Sequence, residues 1–191
     1  AARANAVLGM LCHVLGCAKR SGMAIEVPTI PKVKREKIET LRFYTPGQLD
    51  ELVAAAQARS TRWAAVILLM GDAGLRSGEV SALTWEQVDL GQRELTVSAN
   101  LWRGHIGTPK SGKNRKVPMT RRLHSALAAL DRGAAQVLTA ASGEGFASHG
   151  SIKSVVTWAA KNAGVPDRGP HALRHGYATA LLTSGSDLRV V

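Results

Sequence analysis

The spacing of apolar residues changes twice along the chain, and this change constrains the fold more than any other feature. Between residues 45 and 84 the sequence predicts helices: Leu49, Leu52, Val53 and Ala56 recur at the helical period, and the apolar run at residues 63–70 is typical of a mostly buried helix. In RELTVSA they alternate, with Leu95 and Val97 on one face, and LWRGHIG and NRKVPM are predicted to be two more strands. Helical spacing returns after Met119. The sequence therefore predicts an α+β, mainly helical domain with a small three-stranded antiparallel sheet near its middle.

Local signals predict where the helices begin and end. Thr45 is a candidate N-cap before Pro46, a residue that suits the first helical position. Ser151 is expected to cap the helix SIKSVVTWAAKNAGV, and Gly164 is expected to end it. The last helix is expected to follow Pro170, and the basic segment TPKSGK is predicted to be a turn between the last two strands.

The first 42 residues differ in character from the rest. Residues 1–26 carry a helical stripe without a clear cap at its start, which predicts the last helix of a preceding domain. Residues 27–42 contain two prolines and an excess of lysine and arginine, which predicts an extended basic linker. Residues 43–191 are then the main domain. In the first segment, residues 1–26, the predicted helical stripe consists of Val7, Leu8, Leu11, Val14 and Leu15.

The formal net charge of +11 favours a polyanionic partner, with nucleic acid as the first candidate. A basic protein without such a partner is the alternative. Cys12 and Cys17 match neither a disulfide scaffold nor a metal motif and are predicted to be buried thiols in a reducing compartment. The longest apolar run, residues 63–70, is too short to span a bilayer, and the N-terminus lacks a signal-peptide layout. We therefore expect a cytoplasmic protein without a membrane partner.

Three basic clusters carry the candidate chemistry. They contain Arg76 in AGLRSGEVSAL, Lys110 in TPKSGKNRKVP, and His171 with Arg174 in HALRHG. Arginine presents a planar fork that matches two phosphate oxygens, lysine can protonate a leaving oxygen, and histidine can bind an oxygen or move a proton. The sequence has no acidic cluster at metal-ligand spacing, so a two-metal nuclease is not expected. No metal or other cofactor is predicted. The clusters favour reaction at a phosphodiester through cationic side chains alone.

The order of these motifs resembles the tyrosine recombinase family, which includes the phage integrases. GLRxxE comes first, K(S/T)GKxRxVP follows between strands, and HxLRH comes last. Residues 1–26 look like the end of that family's N-terminal core-binding domain and residues 43–191 like its catalytic domain. The resemblance implies that Arg76 is the first catalytic arginine and that Glu79 buttresses it. It also implies that Lys110 is the general acid on the 5′-hydroxyl leaving group, with Lys113 in the same turn as the rival.

The resemblance assigns the last cluster as well. His171 and Arg174 match the family's catalytic His-x-x-Arg pair, and His175 is expected to support the fold rather than to bind a ligand. Two positions depart from the family: Ala172 stands where aspartate is frequent, and Gly176 stands where threonine or serine is frequent.

The family's nucleophilic tyrosine lies after a GH motif, and the sequence as given shows neither feature. Its two tyrosines, Tyr44 and Tyr177, are expected in the core or at an interface. We therefore expect that the nucleophile is missing, either because the chain is truncated or because it is part of a longer protein.

The resemblance implies a site-specific DNA recombinase, the integrase of a phage or mobile element. Such an enzyme cuts and rejoins double-stranded DNA through a 3′-phosphotyrosine and forms a tetramer on DNA; this chain, without the nucleophile, is expected only to bind DNA. Two alternatives stay open, a non-catalytic DNA-binding remnant and an enzyme like the type IB topoisomerases, which relax DNA. Further DNA-binding candidates are Lys34, Arg35, Arg42, Lys113 and Arg115.

Overall fold

A computed structural model describes residues 2–34, 43–107, 114–139 and 148–185, and the chain divides between Thr40 and Leu41 into two compact units. In the first unit, helix α1 spans Ala2–Arg20, and residues 23–34 form neither helix nor strand. The Asn5 side chain donates to the main-chain oxygen of Val33 at 2.9 Å and accepts from its N–H at 2.8 Å. This pairing holds Val33 beside the start of α1. The predicted domain boundaries remain predictions.

Helix α1 exposes much of its apolar surface. Val7 is 62% exposed, Met10 71% and Val14 57%, since no other helix lies in the described part of this unit to cover them. For the same reason the prediction of two buried cysteines is wrong: Cys17 is exposed and Cys12 is only partly covered.

The second unit contains six further α-helices, one 3-10 turn and five short strands among its described residues. The helices are α2 Pro46–Arg59, α3 Thr61–Gly71, α4 Ser77–Ala82, α5 Arg121–Ala128, α6 His149–Ala163 and α7 Pro170–Thr183, and the 3-10 turn is Trp85–Gln87. The strands are β1 Val88–Asp89, β2 Glu94–Val97, β3 Asn100–Trp102, β4 His105–Gly107 and β5 Arg115–Pro118. The predicted α+β, mainly helical class is confirmed.

Helix α3 forms the centre of the core. Its eight residues from Ala64 to Gly71 are all buried, because it is apolar on every side and helices α2, α5, α6 and α7 pack around it. Leu95 and Val97 of β2 are also buried, which confirms the predicted face of that strand.

Most predicted helix ends are confirmed. The Thr45 hydroxyl accepts from the Gln48 N–H, Pro46 begins α2, Pro170 begins α7, and Gly164 ends α6 with a φ of +69°. The predicted cap Ser151 is wrong. Helix α6 begins one turn earlier, and the Ser151 N–H donates to the hydroxyl of Ser148, which is the cap.

The sheet exists, but its strands differ from the prediction. Its order is β1-β2-β5, all antiparallel, so the short β1 supplies the third strand. LWRGHIG is not one strand of that sheet. It folds back on itself as the separate hairpin β3–β4, because Arg103 and Gly104 both have positive φ, 47° and 83°. Two consecutive residues with positive φ form the turn that best suits a two-residue hairpin.

Candidate active site

Arg76 lies at the start of α4, directly after the turn that ends α3. In that turn Gly74 has a φ of +63°, and an added Cβ would lie 2.2 Å from Cδ1 of Tyr177 on α7, so glycine is required. The main-chain oxygen of Gly74 accepts a hydrogen bond from Arg174 Nη1. One tight turn therefore brings Arg76 of α4 and Arg174 of α7 to the same corner of the domain.

Glu79 is a buried carboxylate that holds two arginines. Its Oε1 accepts from Arg76 Nη1 at 2.9 Å, and its Oε2 accepts from the Arg76 backbone N–H at 2.8 Å. Arg115 of β5 donates through Nη1 and Nη2 to the same two oxygens, at 3.0 and 2.7 Å. Burial alone raises the pKa of Glu79, but the hydrogen bonds from Arg115 and Arg76 outweigh burial and hold that pKa below its usual 4.5. Glu79 is therefore ionised at neutral pH.

The beginning of α7 carries His171, Arg174 and His175. Partial burial lowers the pKa of His171, and His175, Arg174 and Arg76 lower it further. Burial is also the largest cause of the lowered pKa of Arg174, followed by the charge of Arg76. A neutral imidazole and a charged guanidinium therefore lie one helical turn apart. His175 is exposed, and its ring meets the His171 ring edge to face with centroids 4.6 Å apart; its expected support of the fold stays a prediction.

A cavity of about 840 Å³ opens beside these groups. Arg76, Glu79 and His171 line it together with the hairpin tip at residues 100–104 and the start of α6 at residues 148–150. Ser77 Oγ lies 2.8 Å from His149 Nδ1, a hydrogen bond that joins α4 to α6. The sequence did not reveal His149, because its neighbour Ser77 is 72 positions away and no local motif links them.

The hairpin β3–β4 is seated on α4 by a close backbone approach. A Cβ at Gly78 would lie 2.7 Å from the main-chain oxygen of Leu101, so a larger residue would push the hairpin away. At the tip, Trp102 is 65% exposed and the Arg103 guanidinium lies 5.6 Å from the centroid of its ring. The hairpin thus adds a cation and an aromatic ring to the rim of the cavity.

The described residues do not include every predicted site residue. Lys110, Lys113, Arg35 and Arg42 lie outside them, so their roles stay predictions. Lys34 is exposed in the first unit. Arg115, predicted only to bind DNA, is paired with Glu79.

Neither tyrosine is an exposed residue. Tyr44 is 3% exposed, as expected for the core, and its hydroxyl accepts from the Arg168 N–H at 2.8 Å. Tyr177 is half-buried against Gly74. Burial raises the pKa of both phenols. Gly176 fits beside them because an added Cβ would lie 2.8 Å from the main-chain oxygen of Tyr44.

The described residues contain neither a metal-binding cluster nor a membrane-spanning helix. No group of three or more histidine, cysteine, aspartate or glutamate side chains there is placed to hold a metal ion. Likewise, none of the helices in the described ranges is both long and apolar enough to cross a membrane.

Comparison with known sequences supports the motif-based resemblance. The profile of the phage integrase family matches residues 42–191. The tyrosine recombinase XerC of Bifidobacterium longum (strain DJO10A) is 32% identical over 167 residues, a match that covers 78% of this chain and 44% of the relative. The chain thus spans about half the length of the curated relatives it matches.

Solved structures show the same fold. The Tn1549 transposon integrase in complex with a circular intermediate DNA is similar with a TM-score of 0.69 at 21% identity, covering 81% of this chain and 57% of that one. The XerA recombinase is similar with a TM-score of 0.66 at 22% identity, covering 93% and 61%.

Proposed function

The chain belongs to the phage integrase family, and from that premise we propose that it forms the phosphate-binding part of a site-specific DNA recombinase. The supporting observation is that Arg76, Glu79 and His171 line one cavity, while Arg174 binds the main-chain oxygen of Gly74 two residues before Arg76. The cations are held from behind by a buried carboxylate and a main-chain oxygen. Such fixed positive charge suits an anion that binds at the surface of the domain.

The proposed chemistry is transfer of a DNA strand to a tyrosine and back. A tyrosine hydroxyl gives up its proton to a neutral base and attacks the scissile phosphorus, a 3′-phosphotyrosine bond forms, and the bond to the 5′ oxygen breaks. Lys110 gives the leaving oxygen its proton, and attack by another 5′-hydroxyl reverses the step. Because the phosphotyrosine conserves the bond energy, this reaction needs no nucleotide cofactor.

The described residues contribute charge stabilisation in this scheme. The two arginines face the non-bridging oxygens, where negative charge grows as the phosphorus becomes five-coordinate. A neutral His171 can donate one hydrogen bond to the same phosphate or pass a proton, since its pKa is lowered rather than raised. Four protomers would bring two duplexes together, as the resemblance implies.

We propose that neither Tyr44 nor Tyr177 is the nucleophile. Tyr44 would have to leave the core, and Tyr177 lies within α7 against Gly74, so an in-line attack would require the helix to open. The attacking tyrosine would then come from a further segment of the protein or from another protomer.

The test is covalent trapping on a nicked suicide substrate, read by denaturing gel and peptide mass spectrometry. The expected result is an adduct only when a tyrosine other than Tyr44 and Tyr177 is supplied, in the same chain or in a second one. An adduct on either of these residues would contradict the assignment. DNA binding with no adduct under any of these conditions would favour the non-catalytic remnant.

A further inference from the structure

The side chain of Arg115 binds Glu79 through two hydrogen bonds, whereas the side chain of Arg76 binds it through one and its backbone N–H adds a second. Arg115 donates from both terminal nitrogens, one to each carboxylate oxygen, whereas the Arg76 side chain donates through Nη1 alone. Each oxygen of Glu79 thus accepts from both arginines, and the three residues form one charged cluster. Glu79 itself is 2% exposed, so this cluster takes the place of water around the carboxylate.

The strand period explains why Arg115 points inward. Side chains two apart on a strand share a face, and Val117 on the face of Arg115 is buried in the core. Lys116 points the other way, is 72% exposed, and pairs with Glu94 at 2.6 Å. Two neighbouring cations on β5 therefore face opposite environments, and one of them faces the candidate active site.

The charge balance gives Arg115 a specific task. If Arg76 were the sole partner of Glu79, the carboxylate would compete with a DNA phosphate for that one guanidinium. With Arg115 bound in a bidentate manner, Glu79 is already neutralised, and its hydrogen bonds from Arg76 Nη1 and from the Arg76 backbone N–H fix the position of Arg76. The rest of the Arg76 guanidinium, whose side chain is 39% exposed, is left for the cavity that it lines.

We propose that Arg115 is a positioning residue that holds Glu79, and through it Arg76, rather than a residue that contacts DNA. This inference rests on the proposed function in one respect only, namely that the anion bound by Arg76 is a DNA phosphate. The competing outcome is that Arg115 contacts a DNA phosphate directly.

Three variants separate these roles. Arg115→Gln removes the charge and the fork, and Arg115→Lys keeps the charge but loses the two-pronged geometry. Lys116→Gln is the matched control, because it removes one positive charge from the neighbouring position on the same strand. Amide spectra and melting curves establish which variants are folded.

The measurement is the ¹⁵N NMR spectrum of the arginine side chains in the free protein, with the Arg76 signal assigned by its loss in Arg76→Lys. We expect a distinct, slowly rotating Arg76 guanidinium in the wild type and in Lys116→Gln. In both Arg115 variants that signal should broaden and move to the position of a freely rotating guanidinium. An unchanged Arg76 signal in a folded Arg115→Lys or Arg115→Gln protein would overturn the proposal.

A titration of wild-type protein with duplex DNA needs no variant and completes the test. The Arg76 signal should shift on binding, and the Arg115 signal should shift less. A larger shift at Arg115 than at Arg76 would assign the phosphate contact to Arg115 and contradict the inference. Failure of the wild type to bind DNA would instead refute the proposed function, while the spectra of the free proteins would still decide whether Arg115 positions Arg76.

Discussion

Glu79 and Asp72 are both buried carboxylates bound by arginine, but the charge balance around them is opposite. Glu79 holds two arginines and lies beside the 840 Å³ cavity. Asp72, at the end of α3, accepts from Arg122 Nε at 2.7 Å and Nη2 at 2.6 Å, and from the Thr120 hydroxyl. Arg122 also pairs with Asp50 of α2. The Glu79 cluster has two cations for one anion, and the Asp72 cluster has one cation for two anions.

This difference separates a binding site from a structural connection. A buried carboxylate has to be compensated wherever it lies, so pairing alone says nothing about function. At Asp72 the pairing connects α2, α3 and α5, and the cluster has no net positive charge. At Glu79 it leaves a net positive charge beside a cavity that also contains His171, and only that arrangement favours an anionic ligand.

The largest expected effect concerns Lys110, which the family resemblance assigns to the same active site as the Glu79 cluster. In a form of the protein that cleaves DNA, Lys110→Ala should lower the cleavage rate by about 10²–10⁴-fold, the usual contribution of general acid catalysis, with little change in DNA affinity. A 5′-bridging phosphorothioate needs no proton on its leaving group, so it should restore most of the rate. Lys113→Ala is the control, and rescue of that variant instead would assign the acid to Lys113.

Breaking the Asp72 cluster should affect stability and leave DNA binding unchanged. In Arg122→Ala, Asp72 stays buried and keeps its hydrogen bond from the Thr120 hydroxyl. We expect a loss of about 3 kcal/mol in the free energy of unfolding. This value is at the low end for a buried pair, because the Arg122 side chain is itself 42% exposed. Urea unfolding measures this loss, and Arg121→Ala, the exposed neighbour, should change stability little. A large drop in DNA affinity in folded Arg122→Ala would remove the distinction between the two clusters.

The turn behind Arg76 can be tested against a second glycine of the same conformation. Gly74 and Gly164 have φ values of +63° and +69°, but only Gly74 lies against a side chain, that of Tyr177. Alanine should strain both turns equally and overpack only the first, so Gly74→Ala should cost about 2 kcal/mol more in unfolding free energy than Gly164→Ala. Equal losses would mean that the Tyr177 contact does not constrain the turn.

The smallest expected effect is a pH dependence. The folded-state pKa of Glu79 is lowered, so its ionised form stabilises the fold above the unfolded-state pKa, and this contribution is lost as pH falls below about 4.5. The stability difference between wild type and Glu79→Gln should therefore be greatest near neutral pH and shrink under acid. Unfolding free energies measured from pH 7 downward test this, and a constant difference would contradict the ion pairing.

Sequence reasoning succeeded where the signal was local. The cap at Thr45, the stop at Gly164 and the buried face of β2 each depend on a few neighbouring residues, and the structure agrees. It failed where one turn or one long-range contact determines where an element begins or which strands pair. Ser148 and Ser151 are equally good caps in sequence, and only the structure shows that Ser148 is the cap of α6.

The site shows the same limit. The motifs locate Arg76, His171 and Arg174, but the pairing of Arg115 with Glu79 spans 36 positions and depends on how β5 meets α4. A basic residue after a lysine-rich turn looks like a DNA contact until its partner is known.

The most direct test of the charge argument is DNA affinity as a function of salt, measured by fluorescence anisotropy on this chain. If the Glu79 cluster presents a cation to phosphate, log K should fall linearly with log salt, by about 0.9 per phosphate contact, and Arg76→Gln should lower the slope by about one contact. Arg122→Gln should leave the slope unchanged. A flat salt response, or equal effects of the two variants, would contradict the account.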